Sequence, residues 1–397
     1  MSAASDSRQR QNVALLATAQ ALMLSAVVLA MTLGAILGDS LAPDRRLATL
    51  PIVAMVIGTA LTSLPAAMLM RRLGRRNGFL LGTLFGAGGS LLCALGLQQQ
   101  SFALFVAGHL LIGSYQGFAN YYRFAAVEAV DASRASRAIS WVVAGGIVAA
   151  FLGPQLAVSG RDWLATTPFL GAYLAQAGLS LLALAVLSRL ALPPAAAPGP
   201  GDARPLRELL AQPALRIAIL GAATGYAVMI MVMAATPLAM LGCGLGRGDV
   251  APVIQWHVVG MFAPSFFTGA LIKRFGAPRI MQAGFLLLLA QIATVSSGNG
   301  FAHFLSALVL LGVGWNFAFI GGTALLTQTY RPAEQMKVQA VNEFAVFGLV
   351  AVATLSAGGV YQQFGWTALN FAVAPLLALA LFAASIAERR LRLAAIL

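Results

Sequence analysis

A chain of 397 residues that is 59% hydrophobic and only 9% charged lacks the polar surface of a soluble protein of that length, which would carry about 25% charged residues. Its formal charge of +13 is no sign of nucleic-acid binding, because the basic residues sit in short loops between apolar runs and no soluble domain exists to present them. No catalytic constellation, phosphate loop or nucleotide motif is present either, which argues against an enzyme or an ATP-driven pump.

A helix needs about 20 apolar residues to cross roughly 30 Å of hydrocarbon. Runs of that kind cover residues 12–38, 47–70, 78–97, 101–122, 136–158, 167–188, 214–242, 249–272, 280–297, 302–328, 338–360 and 366–386. The first is too long for a signal-peptide core and lacks a small-residue cleavage site, so it is expected to remain as helix 1. The predicted fold is all-α and integral to the membrane, with twelve transmembrane helices. With the N-terminus in the cytoplasm, Arg45, Arg46, Arg161 and Arg247 are the basic residues left on the far side. That is the positive-inside pattern, and an even helix count returns the C-terminus to the cytoplasm.

The run Arg71-Arg72-Leu73-Gly74-Arg75-Arg76 after helix 2 has an echo after helix 8, Lys273-Arg274-Phe275-Gly276-Ala277-Pro278-Arg279. A glycine at the same offset about 200 residues later favours duplication over topology alone. Residues 190–212, with Pro193, Pro194, Pro198, Pro200 and Pro205, read as the one long hydrophilic connection. The expected organisation is a six-helix bundle over 1–189, a cytoplasmic linker over 190–212 and a second six-helix bundle over 213–397.

Ionisable and polar side chains at membrane depth are costly and mark pathways by default. Arg123 and Glu128 follow helix 4 five apart, off any shared face. They read either as a structural charge pair or solvated helix end, or as a gate or proton-coupling pair, and Glu343 near the start of helix 11 has the same two readings. Arg75 and Arg274 lie in the two basic loops and are candidate cytoplasmic gates. His109 reads as packing and Cys93 as a small filler, while Gln20, Asn120 and Asn316 are candidate cavity-lining amides. Two cysteines on different helices establish no disulfide.

Helices 7 and 8 hold the most specific pattern. At about 100° per residue Met229 and Met233 share a stripe, Met240 and Cys243 fall within an arc of roughly 80° of it, and Met231 points away. His257 lies over Met261 by the same rule. The short turn at Gly244, Leu245 and Gly246 predicts antiparallel neighbours, with Met233 level with His257 and Met229 level with Met261. Thioethers are soft ligands and imidazole a borderline one, a set that suits copper better than magnesium, calcium or manganese, and zinc less well without thiolate or carboxylate. Met240 and Cys243 would then form a first metal contact at the periplasmic mouth. The competing reading of each methionine alone is flexible packing, and of a lone histidine a hydrogen-bonded packing or proton-relay residue. The register of the two pairs favours the ligand reading.

These motifs resemble those of the major facilitator superfamily. The loop after helix 2 is similar to its signature loop, with Ala67 and Arg71 where the first glycine and the acid usually stand. Gln116-Gly117 in helix 4 is similar to a second signature, with Gly113 at its usual arginine position, so that arginine's coupling role does not transfer. The Met pair in helix 7 and the His/Met pair in helix 8 resemble those of CcoA-like copper importers, a bacterial branch of the superfamily. The resemblance implies metal-pathway roles for Met229, Met233, His257 and Met261, and copper, as an ion or small complex, as the transported substrate. It further implies supply of copper for assembly of cbb3-type cytochrome c oxidase, no permanently bound cofactor, and a monomer in the lipid of the bacterial inner membrane. The alternative is an organic-solute carrier of the riboflavin or drug type, with Trp141, Trp256 and Trp315 as stacking surfaces. A non-transporting sensor or assembly factor is disfavoured because no soluble signalling domain is present.

Overall fold

Apolar runs become helices because a backbone in hydrocarbon must satisfy its own hydrogen bonds. The structure is a computed structural model and describes residues 3–44, 47–164, 167–192 and 203–394. Pro193, Pro194, Pro198, Pro200, Arg45 and Arg46 lie outside the described residues.

Among the described residues, eleven helical stretches are long and apolar enough to cross a membrane. The last, Pro332–Ile386, has 55 residues and as one straight helix would measure about 80 Å. It breaks at Gly365, whose φ of 81° and ψ of 178° are not helical, so it supplies the last two crossings expected at 338–360 and 366–386.

The helices sort into two compact units. The first comprises Met1–Ala132, Trp141–Ala196 and Gln339–Phe344. It holds α1 (Ala3–Leu41), α2 (Leu50–Leu73), α3 (Arg75–Gln98), α4 (Phe102–Ala119), α5 (Tyr122–Glu128), the end of α6 (Ala135–Ala144), α7 (Gly146–Ser159) and α8 (Leu170–Leu187). Here α2 and α3 both pack along α4, α3 also along α8, and α1 along α7 and α8. The second comprises Ser133–Ser140, Ala197–Val338 and Ala345–Leu397. It holds α9 (Leu206–Ala211), α10 (Pro213–Gly242), α11 (Arg247–Phe262), α12 (Ser265–Phe275), α13 (Ala277–Ser297), α14 (Phe301–Leu326), α15 (Gln335–Ala372) apart from Gln339–Phe344, and α16 (Ala374–Ala394). In this unit α10, α11 and α13 all pack along α14.

The repeated loop folds to the same corner in both units. Gly74 sits between α2 and α3 at φ 83°, ψ 159°, and Gly276 between α12 and α13 at φ 87°, ψ 149°. That region of backbone space is essentially open to glycine alone, which is why a glycine recurs at that offset.

Small residues let the central helices close on their neighbours, as van der Waals packing in lipid requires. A Cβ at Gly113 of α4 would lie 1.9 Å from the Met55 carbonyl oxygen of α2. In the second unit a Cβ at Gly312 of α14 would lie 2.5 Å from the His257 carbonyl oxygen of α11. The corresponding seams, α2 on α4 and α11 on α14, are thus built alike.

Candidate functional site

The tight glycine seam decides what faces the soft residues of helix 8. His257 is fully buried, and its Nδ1 lies 2.8 Å from the Leu308 carbonyl oxygen of α14. A carbonyl only accepts, so Nδ1 carries the proton and Nε2 presents its lone pair, buried and without a hydrogen-bond partner. Met261, one turn on, is also buried.

Helix 8 is interrupted just beyond these residues. α11 ends at Phe262 and α12 begins at Ser265, because Pro264 has no N–H to continue the ladder. Asn316 of α14 compensates: its Nδ2 donates to the Met261 carbonyl at 2.6 Å and to Ser265 Oγ at 2.6 Å, and its Oδ1 accepts from Thr268 Oγ1 at 2.7 Å. The amide expected to line a cavity is instead saturated by the broken helix.

On α10, Met229 and Met240 are buried, Met233 and Met231 are partly exposed, and Cys243 is exposed just past the helix end. Helices 7 and 8, expected as antiparallel neighbours, share α14 more than they touch each other. Direct contact between α10 and α11 is slight, while α14 lies along both. The short turn joins the two helices, but the Gly260 and Gly312 seam draws α11 onto α14. Among the described residues no three His, Cys, Asp or Glu side chains come together to hold a metal ion.

The same three helices build an aromatic nest. Tyr226 of α10 meets Trp315 edge-on at 5.4 Å between ring centroids, Phe319 at 5.3 Å and Phe347 of α15 at 5.4 Å. Trp315 stacks on Phe319 at 5.1 Å and meets Phe262 of α11 at 5.7 Å. The Trp315 indole N–H is buried without an acceptor, and Tyr226 is the partly exposed member. Of the three tryptophans expected as stacking surfaces, Trp315 alone joins this nest; Trp141 and Trp256 are exposed.

In the first unit the charges pair differently from the spacing. Arg123 and Glu128 each take a partner of their own. Arg123 Nη2 lies 2.5 Å from Glu343 Oε1 and its Nη1 donates to the Asn120 carbonyl at 2.8 Å, whereas Glu128 accepts from Arg75 Nη2 at 2.5 Å and from Arg75 Nε at 3.1 Å. Arg75 also donates to Gln339 Oε1 at 2.5 Å. A separation of five residues points Arg123 and Glu128 to different faces, and each face meets its own partner. The candidate gate of the second basic loop is unlike it: Arg75 is buried, but Arg274 is exposed with its guanidinium 5.1 Å from the Phe275 ring centroid. His109 packs as expected, with Nδ1 3.0 Å from the Phe105 carbonyl and 3.4 Å from Cys93 Sγ.

Sequence reasoning missed Tyr226, Gln339 and the clasp between Arg204 and Glu334, in which Arg204 Nε and Nη2 each donate at 2.7 Å to a different carboxylate oxygen. A tyrosine amid apolar neighbours in helix 7 was a signal for the first. Nothing local marks the other two.

Residues 13–263 match the family model described as Major Facilitator Superfamily. The chain is 43% identical over 377 residues, 94% of either chain, to the riboflavin transporter RfnT of Brucella anthropi. Among solved structures it is similar to the superfamily transporter FucP in the outward conformation, with a TM-score of 0.77 and 17% identity over 94% of this chain and 98% of that one. The human organic anion transporter MFSD10 gives a TM-score of 0.74 and 16% identity over 95% of this chain and 99% of that one. At such identities the two structures speak to the fold alone.

Proposed function

Because the chain belongs to the Major Facilitator Superfamily, and is therefore a multi-pass membrane transporter, we propose that it carries a flat aromatic solute of the riboflavin class. The nest of Tyr226, Trp315, Phe319, Phe347 and Phe262 carries this reading. A tricyclic ring stacks well on such faces, and a buried indole N–H without an acceptor suits a ring carbonyl. The 43% identity to a riboflavin transporter supports the same solute. Alternating access moves it, the two halves exposing a site near the bilayer midplane to each side in turn.

Purified transporter in vesicles should accumulate riboflavin. Tyr226→Leu should reduce uptake about tenfold, the equivalent of one lost aromatic contact, and Tyr226→Phe should retain most of it. Vesicles that hold folded protein yet accumulate no riboflavin would refute the solute.

A second reading, import of copper for oxidase assembly, keeps one specific observation. His257 is held as metal-binding histidines usually are, one nitrogen donating to a backbone carbonyl and the other free, with Met261, Met229 and Met233 on the helices around α14. In the same vesicles this reading requires copper uptake that His257→Ala abolishes, that His257→Met partly keeps and that Met231→Ala leaves alone. Riboflavin uptake indifferent to copper, with no copper accumulated, removes it.

A further inference from the structure

Glu343 is the one carboxylate, among the described residues, that is fully buried within an α-helix. It lies one turn beyond Gln339 at the start of α15, in the segment Gln339–Phe344 that clusters with the first unit. Charged groups at membrane depth are retained where they work, and a purely structural acid in this protein looks different. Glu334, in the 3-10 turn Pro332–Glu334 ahead of α15, uses both oxygens: Oε1 accepts from Arg204 N and Nε, and Oε2 from Arg204 Nη2 and Arg331 N. Glu343 uses one. Its Oε1 accepts from Arg123 Nη2 at 2.5 Å and Asn342 Nδ2 at 2.8 Å, while Oε2 is buried with no partner.

From this asymmetry we infer that Glu343 is the proton-exchange site of the transporter, with Oε2 as the atom that takes the proton and Arg123 as the counter-charge. A buried carboxylate oxygen without a donor is expensive, and a proton placed there converts it to neutral acid without breaking either bond to Oε1. The proton's arrival leaves Arg123 facing a neutral acid in place of its ionised partner while it keeps the Asn120 carbonyl, so the pull between α15 and α5 weakens. Its departure restores the pair. Around them stand Arg75, already matched by Glu128, the amide of Gln339, and the Tyr121 phenol, which donates to the Ser63 carbonyl. None of these supplies Oε2. The inference rests on transport, which the family establishes, and not on which solute is carried.

Infrared spectra of the purified full-length protein, taken while pH is lowered from mildly alkaline to mildly acid, test it without any solute. The carbonyl stretch of a protonated buried carboxyl should grow in, vanish in Glu343→Gln, persist at a shifted frequency in Glu343→Asp, and be untouched in Glu334→Gln. Arg123→Gln should move its midpoint up by about one pH unit or more, since the counter-charge that favours the ionised form is gone. In vesicles, riboflavin exchange should survive Glu343→Gln while the response of uptake to an imposed proton gradient is lost. A band that persists in Glu343→Gln, a midpoint unmoved by Arg123→Gln, or a gradient response intact in Glu343→Gln overturns the assignment. If wild-type vesicles move no riboflavin, the solute is wrong and the infrared result still decides the proton site.

Discussion

Gly113 shows at the scale of one residue why a superfamily pattern is broken here. Resemblance puts an arginine at this position of helix 4, but the α2 backbone occupies the space: a Cβ would lie 1.9 Å from the Met55 carbonyl oxygen and 2.7 Å from its carbon. No rotamer relieves a clash made by Cβ itself, so any side chain forces the two helices apart. Gly113→Ala should therefore cost about 1–3 kcal/mol, the usual penalty for overpacking, and Gly113→Arg should fail to yield folded protein instead of restoring a coupling arginine. Gly88 in α3 is the internal control, because nothing lies within 4 Å of a Cβ built there. Gly88→Ala should be neutral or stabilising by up to about 1 kcal/mol. Thermal unfolding midpoints of the purified variants check both, and equal midpoints for the two alanines would show that the α2–α4 seam is looser than drawn.

At the scale of elements, the helices were readable and their partners were not. Periodicity puts His257 over Met261, and both are buried, yet it says which residues share a face and nothing about what faces them. The short turn at Gly244 suggested that helix 7 would be the partner. The partner is set by Gly260 and Gly312, more than fifty residues apart in sequence, whose meaning appears only once the helices are docked. Asn316 was legible as a polar residue that needed a reason, and the reason is the interruption at Pro264. Asn316→Leu should strand the Met261 carbonyl and the Ser265 hydroxyl, while Thr268 keeps its bond to the Pro264 carbonyl, and lower stability by about 1–3 kcal/mol. Ser265→Ala removes one of those bonds, and should cost clearly less. Denaturation of the two variants side by side makes the comparison, and a Leu variant as stable as wild type would mean that the broken helix needs no brace.

For the whole molecule, the apolar runs mark the crossings to within a few residues at most ends, because hydrocarbon imposes length and composition directly on sequence. The repeat was readable through Gly74 and Gly276 for the same kind of reason, a backbone conformation that only one residue adopts cheaply. The ion pairs of Arg75 and Arg123 were not, since Glu128 and Glu343 are assigned to them by docking and not by spacing. The side of the membrane expected for each loop comes from the distribution of Lys and Arg alone, and the chain carries its own reporter for it. Cys243 is exposed beyond the end of α10, four residues before Arg247 in the sequence, and Cys93 is buried inside the first unit. A membrane-impermeant maleimide added to intact spheroplasts should therefore label the unaltered protein once, at Cys243, from the periplasmic side. Cys243→Ser should abolish the label, because the Cys93 thiol is sealed among α3, α4 and the His109 ring. A label that appears only after the membrane is permeabilised would place this loop in the cytoplasm and invert the predicted topology.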